Sequence, residues 1–564
     1  SSADAPPTEN RAFEADVARL LQLMVHSVYS ERDVFLRELI SNAADACEKL
    51  RYEAIASPGL LGDDPKARIT IAIDAEAKAL SVEDNGIGMG RDEMVEALGT
   101  IARSGTRAFV ERLQGGEANA GAQLIGQFGI GFYSAFMVAE RVEVISRRAG
   151  AVETWRWSSD GKGTFSIAPA EPVEAPARGT RVVLHLMEDA KSYLERHTVE
   201  RVVREQSGHV PVPIAIVEKP GAEPAEIADG AALWAKPRTE VTAEEHKDFY
   251  RSVAGQFDEP ALTVHYRAEG RHEYTVLLYV PSTRPFDLFE PDRKGRIKLY
   301  VKRVFISDDV EILPRYLRFV RGLVDSADIP LNVSREMIQE SPVLGAIRNA
   351  VCGRVLSELE KLAEKEPKTY TKIWDAFGAV LKEGLYEDFG RRDTLMGLAR
   401  FHSTSDSKGW RSLKDYVGAL KPNQTAIYYI TGDDQARLEA SPHLEGFRAR
   451  GIEVLLLTDQ VDSFWVTAGA AFDGKPFKSI TRGAADLSLI PVLDAKDDTK
   501  PEASPAIDAF VAFMKTTLGD AVADVKVSDR LTDSAVCLVA SASGLDRQLE
   551  RMLASAGRLP TASK

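Results

Sequence analysis

Glu38 and Asn42 lie four residues apart in Glu38-Leu39-Ile40-Ser41-Asn42-Ala43-Ala44-Asp45-Ala46. On a helix, residues i and i+4 share a face, so a carboxylate and an amide oxygen leave an otherwise apolar segment side by side. Alone, such a pair is a solvated stripe. Its chemical reading is a carboxylate that aligns a water beside an amide oxygen that holds Mg2+. A second segment, Asp84-Asn85-Gly86-Ile87-Gly88-Met89, follows a strand-like run. As bare structure it is a turn with glycine at positive φ. As chemistry, an Asp fixed at a strand end accepts from the exocyclic amine of adenine, and glycine lets a base approach the backbone. In a third segment, Gly126-Gln127-Phe128-Gly129-Ile130-Gly131-Phe132-Tyr133, three glycines precede a helix and offer backbone N–H groups to phosphate oxygens. Its G-x-x-G-x-G spacing is not the dinucleotide fingerprint. The fourth, Gly179-Thr180, opens an alternating strand and is either a plain strand start or a hydroxyl for base recognition.

Common catalytic signatures are absent. Neither Gly161-Lys162 nor Gly474-Lys475 is followed by Ser or Thr, so there is no P-loop. No H-E-x-x-H and no G-x-S-x-G occurs, and the nine histidines show no metal-ligand spacing. The cysteines, Cys47, Cys352 and Cys537, are far apart and odd in number, which fits a reducing compartment and small buried side chains. A net charge of −14 opposes nucleic acid as a main partner and opposes polybasic membrane binding. Ser1 to Asn10 shows no secretory signal, and apolar runs such as Ala135 to Ala139 fall far short of the ~18 residues that span a bilayer. A cytoplasmic location is expected.

Elements must hold the four segments together. The chain has 564 residues, 44% apolar and 28% charged, the composition of an ordinary soluble multidomain protein. Phe13, Val17, Leu20, Leu21 and Met24 recur at helical spacing, and Ser30 with Asp33 reads as a capping-box start for a second helix running to about Ile55. Strands are expected at Arg68 to Asp74, Ala79 to Glu83, Val142 to Ser146, Glu153 to Trp157, Gly163 to Ile167 and Thr180 to Leu186. A helix from about Arg91 to Leu113 interrupts them, so helices should cover one face of a mixed sheet. Gly115 to Gly121 has the composition of a mobile stretch. Residues 219–232 and 494–505 read as linkers. Between them, strands at Tyr274 to Val280, Arg296 to Ile306, Ala426 to Ile430 and Ile452 to Leu457 alternate with helices at Pro342 to Lys365 and Tyr370 to Glu383. An amphipathic helix is expected within Gly544 to Gly557.

Taken in this order, the four segments resemble the Bergerat-type ATP-binding domain of ninety-kilodalton heat-shock chaperones, type II topoisomerases, mismatch-repair MutL proteins and histidine kinases. The wording FLRELISNAADA (Phe35 to Ala46), LGTIARSGT (Leu98 to Thr106) and GQFGIGFYSA (Gly126 to Ala135) resembles the ninety-kilodalton heat-shock chaperone family. So do Pro285-Phe286-Asp287-Leu288-Phe289, LYVKRVFI (Leu299 to Ile306) and IPLNVSRE (Ile329 to Glu336) in the second region. The short linker after residue 218 is similar to that of bacterial members. The resemblance spans roughly residues 10–564. It implies an α/β (α+β) multidomain protein. The expected parts are an N-terminal α/β sandwich ATPase domain over 10–218, an α/β middle domain over 233–493 and an α+β C-terminal domain over 506–564. The middle domain would comprise subdomains of about 233–340 and 345–493. The chain stops at Lys564, inside the expected third domain and before the family's dimerisation helices. It also carries Arg103 where the family usually has Lys, a planar fork in place of a point charge.

The resemblance also implies roles. Glu38 polarises the attacking water, and Asn42 binds the Mg2+ that bridges the phosphates of ATP. Asp84 reads the adenine amine with Thr180 and the backbone at Gly88 and Met89. Gly126, Gln127, Phe128, Gly129, Ile130, Gly131 and Phe132 cradle phosphates at the hinge of a lid over about 100–131. Arg335, helped by Gln339, reaches the terminal phosphate from the middle domain, and Arg103 and Asn332 are candidate phosphate or lid contacts. A catalytic Arg on another domain makes hydrolysis depend on closure. Candidate client contacts are Phe464, Trp465, Met552 and Leu553. The implied partners are non-native client proteins, a second copy in a homodimer, and other chaperones, with no nucleic acid and no membrane. A nucleic-acid-linked ATPase, a histidine kinase and a non-hydrolysing holdase are the competing readings.

Overall fold

The computed structural model describes residues 8–13, 32–99, 131–290, 296–329, 341–467, 469–482, 487–493, 504–528, 530–540 and 547–557. The chain divides into two compact units. One comprises Ser1–Tyr279, Lys294–Leu313 and Val320–Val351; the other comprises Val280–Arg293, Pro314–Phe319 and Cys352–Lys564.

The first unit opens with β1 (Glu9–Ala12) and the long helix α1 (Val34–Ala56). The following strands are β2 (Ile69–Asp74), β3 (Ala79–Asp84), β4 (Ala139–Arg147), β5 (Thr154–Ser159), β6 (Thr164–Pro169), β7 (Gly179–Leu186), β8 (Ile214–Val217) and β9 (Ala225–Ala228). Helix α2 (Arg91–Gly99) lies between β3 and β4, and α3 (Arg196–Ser207) between β7 and β8. The nine strands form one sheet in the order β1-β6-β5-β4-β7-β3-β2-β8-β9. All pairs are antiparallel except β2 with β8.

Burial follows from period. In β2 the side chains of Ile69, Ile71 and Ile73 are buried and the intervening ones are not, as a strand with one covered face requires. Helix α1 buries Phe35, Leu36, Leu39, Ile40, Ala43, Ala44, Cys47 and Leu50, a stripe at helical spacing. Each large side chain in that stripe contributes about 1.5–3 kcal/mol when fully removed from water. From Phe35 to Cys47 the stripe joins Ile71, Val82, Val144, Leu184 and Val203 in one core, while Leu50 packs with Ile87 and Ala149.

Several details differ from the sequence expectation. Asp33 sits at the N-cap of α1 without a side-chain cap bond, because its carboxylate accepts from the Tyr193 hydroxyl at 2.6 Å. The first helix, expected from residue 11, is corrected at its start, where Arg11 and Ala12 belong to β1 and pair with β6; residues 14–31 lie outside the described residues, as do 100–130, which hold Gly115 to Gly121 and nearly all of the lid. The stretch 219–232, whose two prolines and two glycines made it look like a linker, carries β9 between Pro224 and Gly230, paired with β8.

Within the same unit, α4 (Ala243–Ala254) begins at a capping box, Thr242 with Glu245, and ends on Gly255 in the left-handed region. Strands β10 (Pro260–Ala268), β11 (Tyr274–Pro281), β12 (Arg296–Val301), β13 (Val304–Ser307) and β14 (Arg321–Ser326) form a second sheet in the order β10-β11-β14-β12-β13. Trp234, Tyr250, Tyr279, Tyr300 and Leu323 make its core. The run Arg296 to Ile306, expected as one strand, is a hairpin. Lys302 and Arg303 turn it at φ 47° and 66°. A two-residue turn of that type ordinarily carries Asn or Gly, so the sequence held no sign of it.

Helix α5 (Pro342–Lys365) coincides with the expected helix. The second unit contains α6 (Pro367–Leu381) and a third sheet. Its strands are β15 (Arg400–Ser403), β16 (Arg411–Ser412), β17 (Ile427–Thr431), β18 (Val454–Leu457), β19 (Ala471–Phe472) and β20 (Lys475–Ser479), ordered β16-β15-β18-β17-β20-β19. Tyr428, Ile430, Phe447, Val454 and Ile480 form its core. Helices α7 (Pro505–Leu518) and α8 (Arg547–Ser555) follow. Among the described residues no helix is long and apolar enough to cross a membrane.

Candidate active site

The site is built on a cross-strand row. Asp84 on β3 stands opposite Thr180 on β7, and Thr180 stands opposite Ser146 on β4. Directly opposed residues of antiparallel strands project from the same face, so the three polar side chains lie in line. Asp84 and Ser146 are buried, and Thr180 is half-buried. The Gly86 amide donates to Asp84 Oδ1 at 2.8 Å. Burial pushes the Asp84 carboxyl up to about 7 from its ordinary 3.8, against the lowering effect of the Gly86 and Thr180 amides.

Two glycines let the backbone segments meet there. A Cβ at Gly179, where φ is 108°, would fall 2.1 Å from the Asp84 carbonyl oxygen. One at Gly88, where φ is 67°, would fall 2.0 Å from the Arg147 carbonyl oxygen. Beside Gly88, the half-buried Met89 donates its amide to Ser146 Oγ at 2.8 Å. The Ile87 amide donates to the Ala46 carbonyl at 3.0 Å and ties this loop to α1.

A second group of residues braces the loop from behind. Asn85 is buried; its Oδ1 accepts from the Arg68 amide at 2.8 Å and its Nδ2 donates to the Lys66 carbonyl at 2.7 Å. Arg178 donates to three carbonyls, those of Asn85 (2.8 Å), Leu61 (2.7 Å) and Asp64 (2.8 Å). Burial, with the nearby Asp84 charge, pushes the Cys47 thiol up to about 12, so it stays a protonated core side chain.

Helix α1 supplies the other chemistry. Glu38 is 7% exposed, with Arg37 Nη2 3.4 Å from its Oε1. Asn42, one turn on, is exposed. A Cβ at Gly131 would lie 2.3 Å from Glu38 Oε2, so this backbone reaches the carboxylate only because it carries no side chain. Phe132 is half-buried, its ring 5.6 Å from that of Trp157, and the Tyr133 hydroxyl bonds the Leu98 carbonyl. With Glu38 in the role the family resemblance implies, Gly131→Ala is expected to push the carboxylate aside and lower ATP turnover about tenfold, a ~1.4 kcal/mol misplacement. Turnover unchanged in the purified variant would refute this.

Other expected site residues fall elsewhere. Gly126, Gln127, Phe128, Gly129, Ile130, Arg103, Asn332, Arg335 and Gln339 lie outside the described residues. Phe464 is half-buried, its ring 6.0 Å from that of Tyr386. Trp465 is corrected: it is 0% exposed, packed 5.1 Å from Phe477 and 5.8 Å from Phe401, and its Nε1 donates to Asp462 at 2.8 Å. An indole enclosed in this way offers a client no surface. Met552 and Leu553 are half-buried on α8. Among the described residues no cluster of three His, Cys, Asp or Glu could hold a metal ion unaided. Ser146, Asn85 and Arg178 were not foreseen. Asn85 and Arg178 adjoin the Asp84 and Gly179 motifs, but Ser146 is found only through strand register.

Residues 215–561 match the family described as Hsp90 protein, and residues 29–177 match the Histidine kinase-, DNA gyrase B-, and HSP90-like ATPase family. A Chaperone protein HtpG of Nitrobacter winogradskyi is 69% identical over 556 residues, which are 99% of this chain and 87% of that protein. One of Azorhizobium caulinodans is 68% identical over 570 residues, covering 100% of this chain and 89% of that protein.

Proposed function

This chain belongs to the Hsp90 protein family, and from that premise we propose how its residues divide the work of an ATP-dependent chaperone. The protein is an ATPase that acts on client proteins. The observation that carries our assignment of residues is the buried Glu38 carboxylate against side-chain-free Gly131, on the helix that also presents Asn42.

Asp84 accepts from the adenine amine in the company of Thr180, and the backbone at Gly88 and Met89 lies along the base. Gly126 to Phe132 cradles phosphates. Phosphoryl transfer asks mainly for alignment and charge neutralisation, so Glu38 acts by orienting the attacking water and taking its proton. Mg2+ suits this donor set: it keeps several waters and phosphate oxygens and needs few protein oxygens, and exposed Asn42 offers one. When bound, the ion neutralises phosphate charge.

Arg335, with Gln339, approaches the terminal phosphate from the middle region when the lid over about 100–131 and the domains close, with Arg103 and Asn332 as further contacts. Arg335→Ala is expected to slow hydrolysis about tenfold, the low end for one charge-assisted hydrogen bond, at unchanged nucleotide affinity. A comparable loss of affinity would remove the cross-domain role.

Domains over 10–218, 233–493 and 506–564, a homodimer, cooperation with other chaperones, and a cytoplasmic role in the stress response complete the proposal. Phe464, Met552 and Leu553 are the proposed client contacts; crosslinks from an unfolded substrate that bypass all three would discard them. The test of the whole is Mg2+-dependent ATP turnover across protein concentrations, with Glu38→Ala as the blank. Turnover above the blank supports the assignment, and specific activity that rises with concentration supports the homodimer. No turnover above the blank overturns the catalytic assignment.

A further inference from the structure

Ser146 makes three polar contacts. Its Oγ accepts from the Met89 amide at 2.8 Å, donates to the Gly179 carbonyl at 3.1 Å, and lies 2.8 Å from Thr180 Oγ1. A hydroxyl has one proton and two lone pairs. An amide N–H can only donate and a carbonyl can only accept. With its one proton on Gly179 and one lone pair on Met89, Ser146 can complete the third contact only by accepting the Thr180 proton. Ser146 is fully buried, so no water competes for these bonds, and a buried hydroxyl left partly unpaired is costly.

We propose that Ser146 is a positioning residue that pins the Thr180 proton inward, so that Thr180 meets a ligand as an acceptor. This rests on the nucleotide reading above. The row then presents two acceptors side by side, the Asp84 carboxylate and the Thr180 hydroxyl oxygen. They match the two N–H bonds of an exocyclic amine, the second directly or through one water that donates to Thr180. A 6-oxo purine would set its carbonyl oxygen against the same lone pairs. Ser146 thus determines base selectivity without touching the base.

The test titrates the full chain at pH 8 with ADP and with inosine diphosphate. The unmodified protein is expected to bind ADP more tightly. In Ser146→Ala the Thr180 hydroxyl is free to turn and donate, so the preference for ADP should shrink about fivefold to tenfold, mostly through tighter inosine diphosphate binding. Thr180→Val removes the opposing lone pairs and should also shrink the preference. Were Thr180 a donor toward the base, Thr180→Val would enlarge it instead, which tests the proposal even if Ser146→Ala folds poorly. Adding Ser146→Ala to Thr180→Val should change the ratio no further. Equal weakening of both nucleotides in Ser146→Ala would reduce Ser146 to a brace for the Met89 loop and overturn the proposal alone. Absence of ADP binding to the unmodified protein would overturn the nucleotide reading and this proposal with it.

Discussion

Glu38→Ala is expected to lower ATP turnover by roughly 10²–10⁴-fold, the range a positioned general base supplies, while ADP affinity stays within about threefold. Both halves follow from where Glu38 sits. Its carboxylate is buried against Gly131, at the edge of the segment proposed to hold the phosphates, and not in the row that carries Asp84. In the role proposed above, Glu38 is needed only when water attacks, so the loss should fall on kcat and leave KM nearly unchanged. Asn42, Asp84 and Thr180 are untouched by the substitution. Steady-state turnover and equilibrium ADP binding on the same preparation decide it. Near-normal turnover would remove Glu38 from catalysis, and a parallel collapse of affinity would make it a binding residue.

Asp84→Asn should act in the opposite way and abolish tight nucleotide binding. An ionised carboxylate accepting from an amine makes a charge-assisted bond worth about 1.5–3 kcal/mol, which is roughly a 10- to 150-fold loss of affinity. The pH dependence gives a sharper signature. The Asp84 carboxyl is pushed up to about 7 by burial, from an ordinary 3.8. In the ligand-free protein the proton is therefore held more tightly when folded than when unfolded. The associated stability is present below about pH 3.8 and is lost as pH rises through about 7, because the folded state must then bury a charge. The proposed contact with the amine requires the charged form, so ADP affinity should fall as pH drops below about 7, approaching tenfold per unit. The Asn variant should show a flat affinity profile and, without ligand, a higher midpoint of thermal unfolding than the unmodified protein at pH 8. Calorimetric titration between about pH 5.5 and 8.5 and thermal unfolding at both ends check this. A flat profile in the unmodified protein would sink it.

Much of this site was legible because it is local. Glu38 and Asn42 share a face by helical period alone, and α1 runs through both as expected. Asp84 ends a strand whose alternation, from Ala79 onward, was plain in the chain, and the glycines after it marked a close approach of backbone. The glycine at 131 stood out as part of a phosphate-binding loop. Its approach to the Glu38 carboxylate joins segments far apart in the chain and was not foreseen.

By itself the sequence determined the elements: the alternating strands, the apolar stripe of α1, the breaks at Pro58 and after Asp84, and the family wording that names the chemistry. Each depends on a residue and its near neighbours, through period and backbone sterics. Tertiary structure decided what lies beside what. Ser146 joins Thr180 from 34 residues away because strand register aligns them, and a shift of one residue would turn it to the other face. Trp465 became core because Phe401 from β15 and Phe477 from β20 arrive to enclose it. The Lys302-Arg303 turn formed without a turn residue because β12 and β13 pair on either side and hold it there. Register and enclosure are set by the sum of many distant contacts, so no single stretch of sequence displays them.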